Sequence, residues 1–85
     1  MGTWTVELAF AEDTEHTEAI AILRIPDGRE VRGLGQAKRD PADRPVAEIG
    51  EEIAGARALS SLAHELLNVA AAEVEKNVRR DDPLG

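Results

Sequence analysis

Four residues with little or no side chain, Ala19, Ala21, Gly33 and Gly35, constrain this chain more than any other feature. They leave one face of a predicted hairpin almost bare. Residues 17–25, "TEAIAILRI", are apolar with β-branched positions and predict a strand. "PDG" follows, Pro26-Asp27-Gly28. Proline suits the first central position of a type I turn, and glycine suits the left-handed residue that closes a three-residue hairpin loop. Residues 29–38, "REVRGLGQAK", predict the returning strand. With Gly28 as the bulge, Ile25 pairs with Arg29, Ala21 faces Gly33 and Ala19 faces Gly35. One face then carries Ala19, Ala21, Leu23, Ile25, Val31, Gly33, Gly35 and Ala37. The other carries Ile20, Ile22, Arg24, Arg32, Leu34, Gln36 and Lys38. A two-residue Asp-Gly turn would shift the register by one and mix the faces, so the bulged turn is preferred. The small, apolar face is where a helix can approach.

The rest of the chain supplies that helix and one more strand. Residues 3–11, "TWTVELAFA", alternate strictly: Trp4, Val6, Leu8 and Phe10 point one way, Thr3, Thr5, Glu7 and Ala9 the other. "EDTEHT" is an acidic, polar loop. From Val46 the period changes. Ile49, Ile53, Ala56, Leu59, Ala63, Leu66, Ala70 and Val74 recur at three- and four-residue steps, an apolar stripe that predicts a helix over residues 46–78. Abundant alanine supports it. Glu48, Glu51 and Glu52 near its start and Lys76, Arg79 and Arg80 near its end suit the macrodipole. Residues 79–85 read as a frayed tail. The predicted class is α+β: one domain, a three-stranded antiparallel meander with a long C-terminal helix on one face.

The glycines of "GLGQAKRDPADRP", residues 33–45, also invite a phosphate-cradle reading. A cradle needs glycines in the turn between strand and helix, with backbone N–H groups converging on the anion. Here Pro41 and Pro45 intervene before the helix, and the third glycine and the Lys-Ser/Thr ending are missing. The glycines are therefore read as a packing surface.

Length creates a tension. A helix over residues 47–78 would measure about 48 Å, whereas a strand of eight or nine residues spans about 30 Å. Either the helix breaks near Gly50 or Gly55, or its overhang meets a partner. The stripe stays apolar through Leu66, Ala70 and Val74, and the outer sheet face brings Ile20, Ile22 and Leu34 together. These six residues form the candidate interface, and a homodimer that buries one or both surfaces is expected.

Composition removes several functions. A chain of 85 residues buries only about 60–65% of its unfolded surface, so stability is marginal. It has no cysteine, which excludes disulfides and thiolate metal sites and fits a reducing cytoplasm. "MGTWTVELAF" lacks the basic and apolar regions of a signal peptide, and no apolar run approaches the roughly 20 residues of a membrane span. A cytoplasmic protein without membrane contact is expected. The net charge of -7 repels polyanions at long range, and Trp4 and Phe10 are the only aromatic platforms.

The polar constellations are sparse. His16 sits among Glu12, Asp13 and Glu15, a composition that suits an exposed acidic loop better than a divalent-metal site. His64 has no second histidine one turn away, so the zincin pair is missing. Ser60 lies four residues from His64, but with no orienting acid or oxyanion donors the pair is no nucleophile system. Arg57, among the small residues of "AGARAL", is expected to anchor the loop by pairing with Asp40 and Asp43. Its rival role is an anion contact shared with Lys38, Arg39 or Arg44. No catalytic residue, metal or cofactor is expected.

These residues carry a resemblance. A strand opening with Trp4, a hairpin, "GxGxAxRxPxD" and then "VAEIGEEIAGARALSSLA" on a helix together resemble a family of small actinobacterial proteins of unknown function. That family is described as having a double-stranded-RNA-binding-domain-like fold. The likeness covers residues 4–75 and is most specific over residues 33–62. It implies a three-stranded antiparallel sheet crossed by a helix, and it brings no activity, substrate or cofactor. Duplex-RNA binders reach phosphates from a basic helix start, where this chain has Glu48, Glu51 and Glu52. The N-terminal helix usual in that fold is also not expected here. Arg29, Lys38, Arg39 and Arg44 could make a small basic spot, but Glu30, Asp40 and Asp43 lie beside them. The expected function is a non-catalytic protein-interaction or dimerisation module, with a partner protein unknown. The alternative is a nucleic-acid binder, which the charge opposes.

Overall fold

The hairpin turn sets the register on which the rest is built. In the computed structural model, which describes residues 2–38 and 47–81, Gly28 takes φ 97°, the left-handed conformation that glycine tolerates. Its N–H donates to the Ile25 carbonyl (2.9 Å), and the Ile25 N–H donates to the Arg29 carbonyl (2.8 Å). The Asp27 carboxylate accepts both the Arg29 N–H (2.9 Å) and Arg29 Nε (2.6 Å). These bonds, the backbone one foremost, hold the Asp27 carboxyl below its usual range.

Three strands follow from this: β1 (Val6–Glu12), β2 (His16–Arg24) and β3 (Glu30–Lys38), antiparallel in the order β1-β2-β3. Ala21 lies opposite Gly33 and Ala19 opposite Gly35, the register of the bulged turn. β1 joins with Leu8 opposite Ala21 and Phe10 opposite Ala19, so Val6, Leu8 and Phe10 share the small-residue face. Its connection to β2 is closed by Asp13, whose carboxylate accepts the N–H groups of Glu15 (2.8 Å) and His16 (2.7 Å). The first strand thus begins at Val6 rather than at residue 3.

A single helix, α1 (Ala47–Asp81), completes the fold. It runs unbroken through Gly50 and Gly55 and extends past residue 78, where the periodicity predicted its end. The loop before it, with Arg39, Asp40, Asp43 and Arg44, lies outside the described residues.

The buried face of α1 is not the expected stripe. Ala54, Ala58 and Leu62 turn to the sheet and form the core with Ala19, Ala21, Leu23, Val31 and Ala37. Ile49, Ile53, Leu59 and Val74 are exposed, as are Ala56, Ala63 and Ala70, and Leu66 is half-buried. The reason is close approach. A Cβ at Gly33 would fall on the backbone of Ala58 and Leu62, and a Cβ at Gly35 on the backbone of Ala54, Arg57 and Ala58, all inside 3.0 Å. The sheet lies directly against the helix main chain at Ala54, Ala58 and Leu62. Larger residues on this face would hold the helix off.

The helix lies antiparallel to β3. Gly50 packs near Thr17 at one end, and Glu73 pairs with Arg29 at the hairpin tip. Residues 74–81 project beyond the tip, about 12 Å or two turns.

Two glycine substitutions should separate contact from propensity. Gly33→Ala should cost about 3 kcal/mol or more, because backbone cannot move aside as a side chain can. At Gly55 an added Cβ would lie 3.5 Å from Phe10 and 3.8 Å from Leu8, ordinary van der Waals contact. Gly55→Ala should therefore stabilise the fold by about 1 kcal/mol through helix propensity. Urea denaturation of both variants checks the pair.

Candidate interaction surface

The small residues that accept the helix lie on β2 and β3, so α1 sits over the seam between those strands and leaves β1 largely open. Val6, Leu8 and Phe10 stay 38%, 38% and 42% exposed on the helix side of the sheet, and Trp4, just before β1, is 52% exposed. Phe10 and Leu8 lie against the helix at Gly55. Strict alternation predicted a half-buried strand, but the cover is thinner than that pattern implies.

A second apolar surface is the outer face of α1. Ile49, Ile53, Leu67 and Val74 are exposed there, and Leu59, one turn on from Gly55, is exposed on the flank beside β1. The stripe that dominates the helical sequence therefore points to solvent. Of the expected interface residues on α1, Leu66 packs against the core, whereas Ala70 and Val74 stand free on the outer side.

The third surface is the outer face of the sheet. Ile20 lies between Ala9 of β1 and Leu34 of β3, with Ile22 one pair along. Ile20 and Ile22 are half-buried, while Leu34 is 68% exposed. The structure thus brings these three expected residues together. Charged pairs flank them: Arg24 with Glu7 (3.1 Å) and Glu30 (3.6 Å), and Arg32 with Glu30 (2.7 Å). Exposed pairs of this kind add about 0–1 kcal/mol and serve mainly as a solvated rim.

Among the described residues, the polar candidates do not converge on a reaction centre. Arg57 donates from a guanidinium nitrogen to the Gln36 carbonyl of β3 (2.7 Å). It thus anchors on the sheet edge; its expected partners Asp40 and Asp43, like Arg39 and Arg44, lie outside the described residues. Lys38 ends β3 opposite His16. His16 Nδ1 is 3.8 Å from Asp13. Ser60 and His64 are exposed on α1. Among the described residues no group of three His, Cys, Asp or Glu side chains is arranged to hold a metal ion.

One polar contact escaped sequence reasoning. Glu12, at the end of β1, shares a hydrogen bond with Glu51 of α1, and with the repulsion of Glu51 and Glu48 this raises its carboxyl above the usual value. Only the fold brings residues so far apart in sequence together. For a carboxyl raised on folding, the native state holds more protons than the unfolded chain, so stability falls as pH rises through that window. Asp13 and Asp27, lowered on folding, work in the opposite sense at acid pH. Glu12→Gln should raise the melting temperature at pH 7, and the gain should fade near about pH 4, where an ordinary glutamate takes up its proton. Thermal melts of wild type and variant across pH check it.

The comparisons with known proteins agree with this arrangement. A family model described as Rv2632c-like matches residues 2–82. The chain is 41% identical over 78 residues to the uncharacterized protein Rv2632c of Mycobacterium tuberculosis, covering 92% of this chain and 83% of that protein. It is 43% identical over 72 residues to the uncharacterized protein Mb1767 of Mycobacterium bovis, covering 85% of this chain and 76% of that one. The crystal structure of Rv2632c superposes with a TM-score of 0.85 at 40% identity, over 98% of this chain and 95% of that chain.

Proposed function

The chain belongs to the Rv2632c-like family, and we propose that it serves there as a small non-catalytic interaction module whose first partner is a second copy of itself. The observation that carries this reading is the open strip of Trp4, Val6, Leu8 and Phe10 beside the helix. Such a strip on the core-facing side of a sheet is apolar surface that the fold itself leaves uncovered, and apolar surface of this kind marks a contact site. A second copy offers the same apolar strip in return, which is the condition for an isologous dimer.

Two further features support protein over polyanion as partner. Glu12, Glu48, Glu51 and Glu52 cluster where the helix begins, and the chain carries a net charge of -7. A phosphate backbone would be repelled there. Among the described residues no helix is long and apolar enough to cross a membrane. Among the described residues no nucleophile–base pair with an orienting acid is formed, and this supports a binding role over a catalytic one.

Solution mass by light scattering during size exclusion tests the proposal. At two micromolar concentrations the expected mass is twice that of the chain. A mass of one chain at both concentrations would overturn self-association.

A further inference from the structure

We infer that the self-contact is made by β1 itself, pairing antiparallel with β1 of the second copy in a register centred on Ala9, so that the two sheets become one of six strands. This inference rests on the dimer reading above and specifies its geometry.

The argument begins with where the backbone groups point. Ile25 and Arg29 share a backbone hydrogen bond across the hairpin, and in an antiparallel ladder such pairs recur at every second residue. Residues 17, 19, 21 and 23 therefore bond toward β3, and the even-numbered residues of β2 bond toward β1. Glu7, Ala9 and Ala11, opposite Ile22, Ile20 and Glu18, are the β1 residues that bond to β2. The N–H and C=O groups of Val6, Leu8, Phe10 and Glu12 consequently point out of the sheet, along an open edge.

The two edges of the sheet differ in how they are guarded. On β3 the outward-pointing residues include Arg32, Gln36 and Lys38, and the Gln36 carbonyl is taken by Arg57. Charged side chains and covered carbonyls are the usual means of blunting an edge. β1 reads "VELAFAE": it has no proline, no glycine, no lysine and no arginine. Its seven residues are all exposed, and three of its four helix-side residues, Val6, Leu8 and Phe10, are apolar, with Glu12 the fourth. An edge of that kind is a template for another strand.

The register follows from charge and length. Centred on Ala9, all seven residues find a partner: Val6 with Glu12, Glu7 with Ala11, Leu8 with Phe10, and Ala9 with itself. No acid faces an acid, and each Leu8 meets a Phe10 on the helix side, a favourable cross-strand pair. The outward-pointing residues bond to one another, as the ladder requires. Centring on Phe10 would set Glu7 against Asp13. Centring on Leu8 would leave Ala11 and Glu12 without partners in the strand. In the Ala9 register both helices lie on the same side, and Val6, Leu8 and Phe10 of the two copies merge into one apolar strip.

Two variants test this, made in a chain that has no cysteine of its own. Ala9→Cys places the two thiols at a non-hydrogen-bonded pair, where the Cα atoms lie about 4.5 Å apart, within reach of a disulfide. Ala11→Cys lies on the same face, but its two copies would stand about 14 Å apart along the strands. Under mild oxidation the first should cross-link almost fully and the second hardly at all. Leu8→Pro removes an N–H that β2 does not use, so circular dichroism should retain the fold while the mass halves. A wild-type dimer whose two cysteine variants cross-link equally, and whose Leu8→Pro form stays dimeric, overturns the β1 contact and leaves self-association standing. A wild-type monomer overturns both. Should Leu8→Pro not fold, the ratio of the two cross-linking yields decides.

Discussion

The contact between the main chain of the helix and two glycines of the sheet is the constraint on which the rest of this structure depends. Where Gly33 and Gly35 lie against Ala54, Ala58 and Leu62, backbone meets backbone. That intimacy fixes three things at once. It sets the depth of the helix on the sheet, the face of the helix that turns inward, and its position over β2 and β3. Among the described residues, five of the eight buried apolar residues are alanine; Leu23, Val31 and Leu62 are the larger ones, and Ile25, Leu66 and Val69 pack against them half-buried. Transfer of large apolar groups from water, at about 1.5–3 kcal/mol each, is correspondingly limited. Dispersion at close range carries an unusual share.

The consequence is a division of labour by residue size. Small residues face one another inside, while the large ones remain at the margins: Leu8 and Phe10 on β1, Ile53, Leu59 and Leu67 on α1, Leu34 on the outer sheet. In most small domains the order is reversed. A chain that packs its least bulky residues and exposes its bulkier ones leaves much of its apolar surface in contact with water. The fold itself is shared with the Rv2632c crystal structure, which is 40% identical and superposes over 98% of this chain.

Much of the architecture was legible because local signals agreed. Pro26-Asp27-Gly28 specified both the turn and the register, and the register specified which face of the hairpin is small. The strand alternation of Val6, Leu8 and Phe10 placed them on that same face. The inward side of the helix was misread for a physical reason. Ile49, Ile53, Leu59 and Val74 dominate any measure of periodicity, whereas Ala54 and Ala58 carry little weight in it. The cue was present all the same: a bare sheet face calls for a bare helix face, and Ala54, Ala58 and Leu62 repeat at four-residue steps. The same reasoning would have centred the helix over β2 and β3 and left β1 open. The Glu12–Glu51 contact had no such cue, since nothing local joins residues that far apart. Continuity through Gly50 and Gly55 was likewise hidden, because each glycine fits against a specific neighbour, Thr17 or Phe10.

The short connections of the meander bear on how the chain reaches this state. Each strand pairs with its immediate neighbour in sequence, so sheet contacts close small loops and form with little entropic delay. Yet the hairpin face so formed is nearly bare, and by itself it shelters almost no apolar surface from water. The sheet gains its stability only when the helix arrives, and the helix gains a docking place only when both glycines are aligned across from Ala21 and Ala19. Neither half is worth forming alone. Folding is therefore expected to be all-or-none, with the alignment of β2 and β3 under Ala54, Ala58 and Leu62 of the helix as the step that commits the chain.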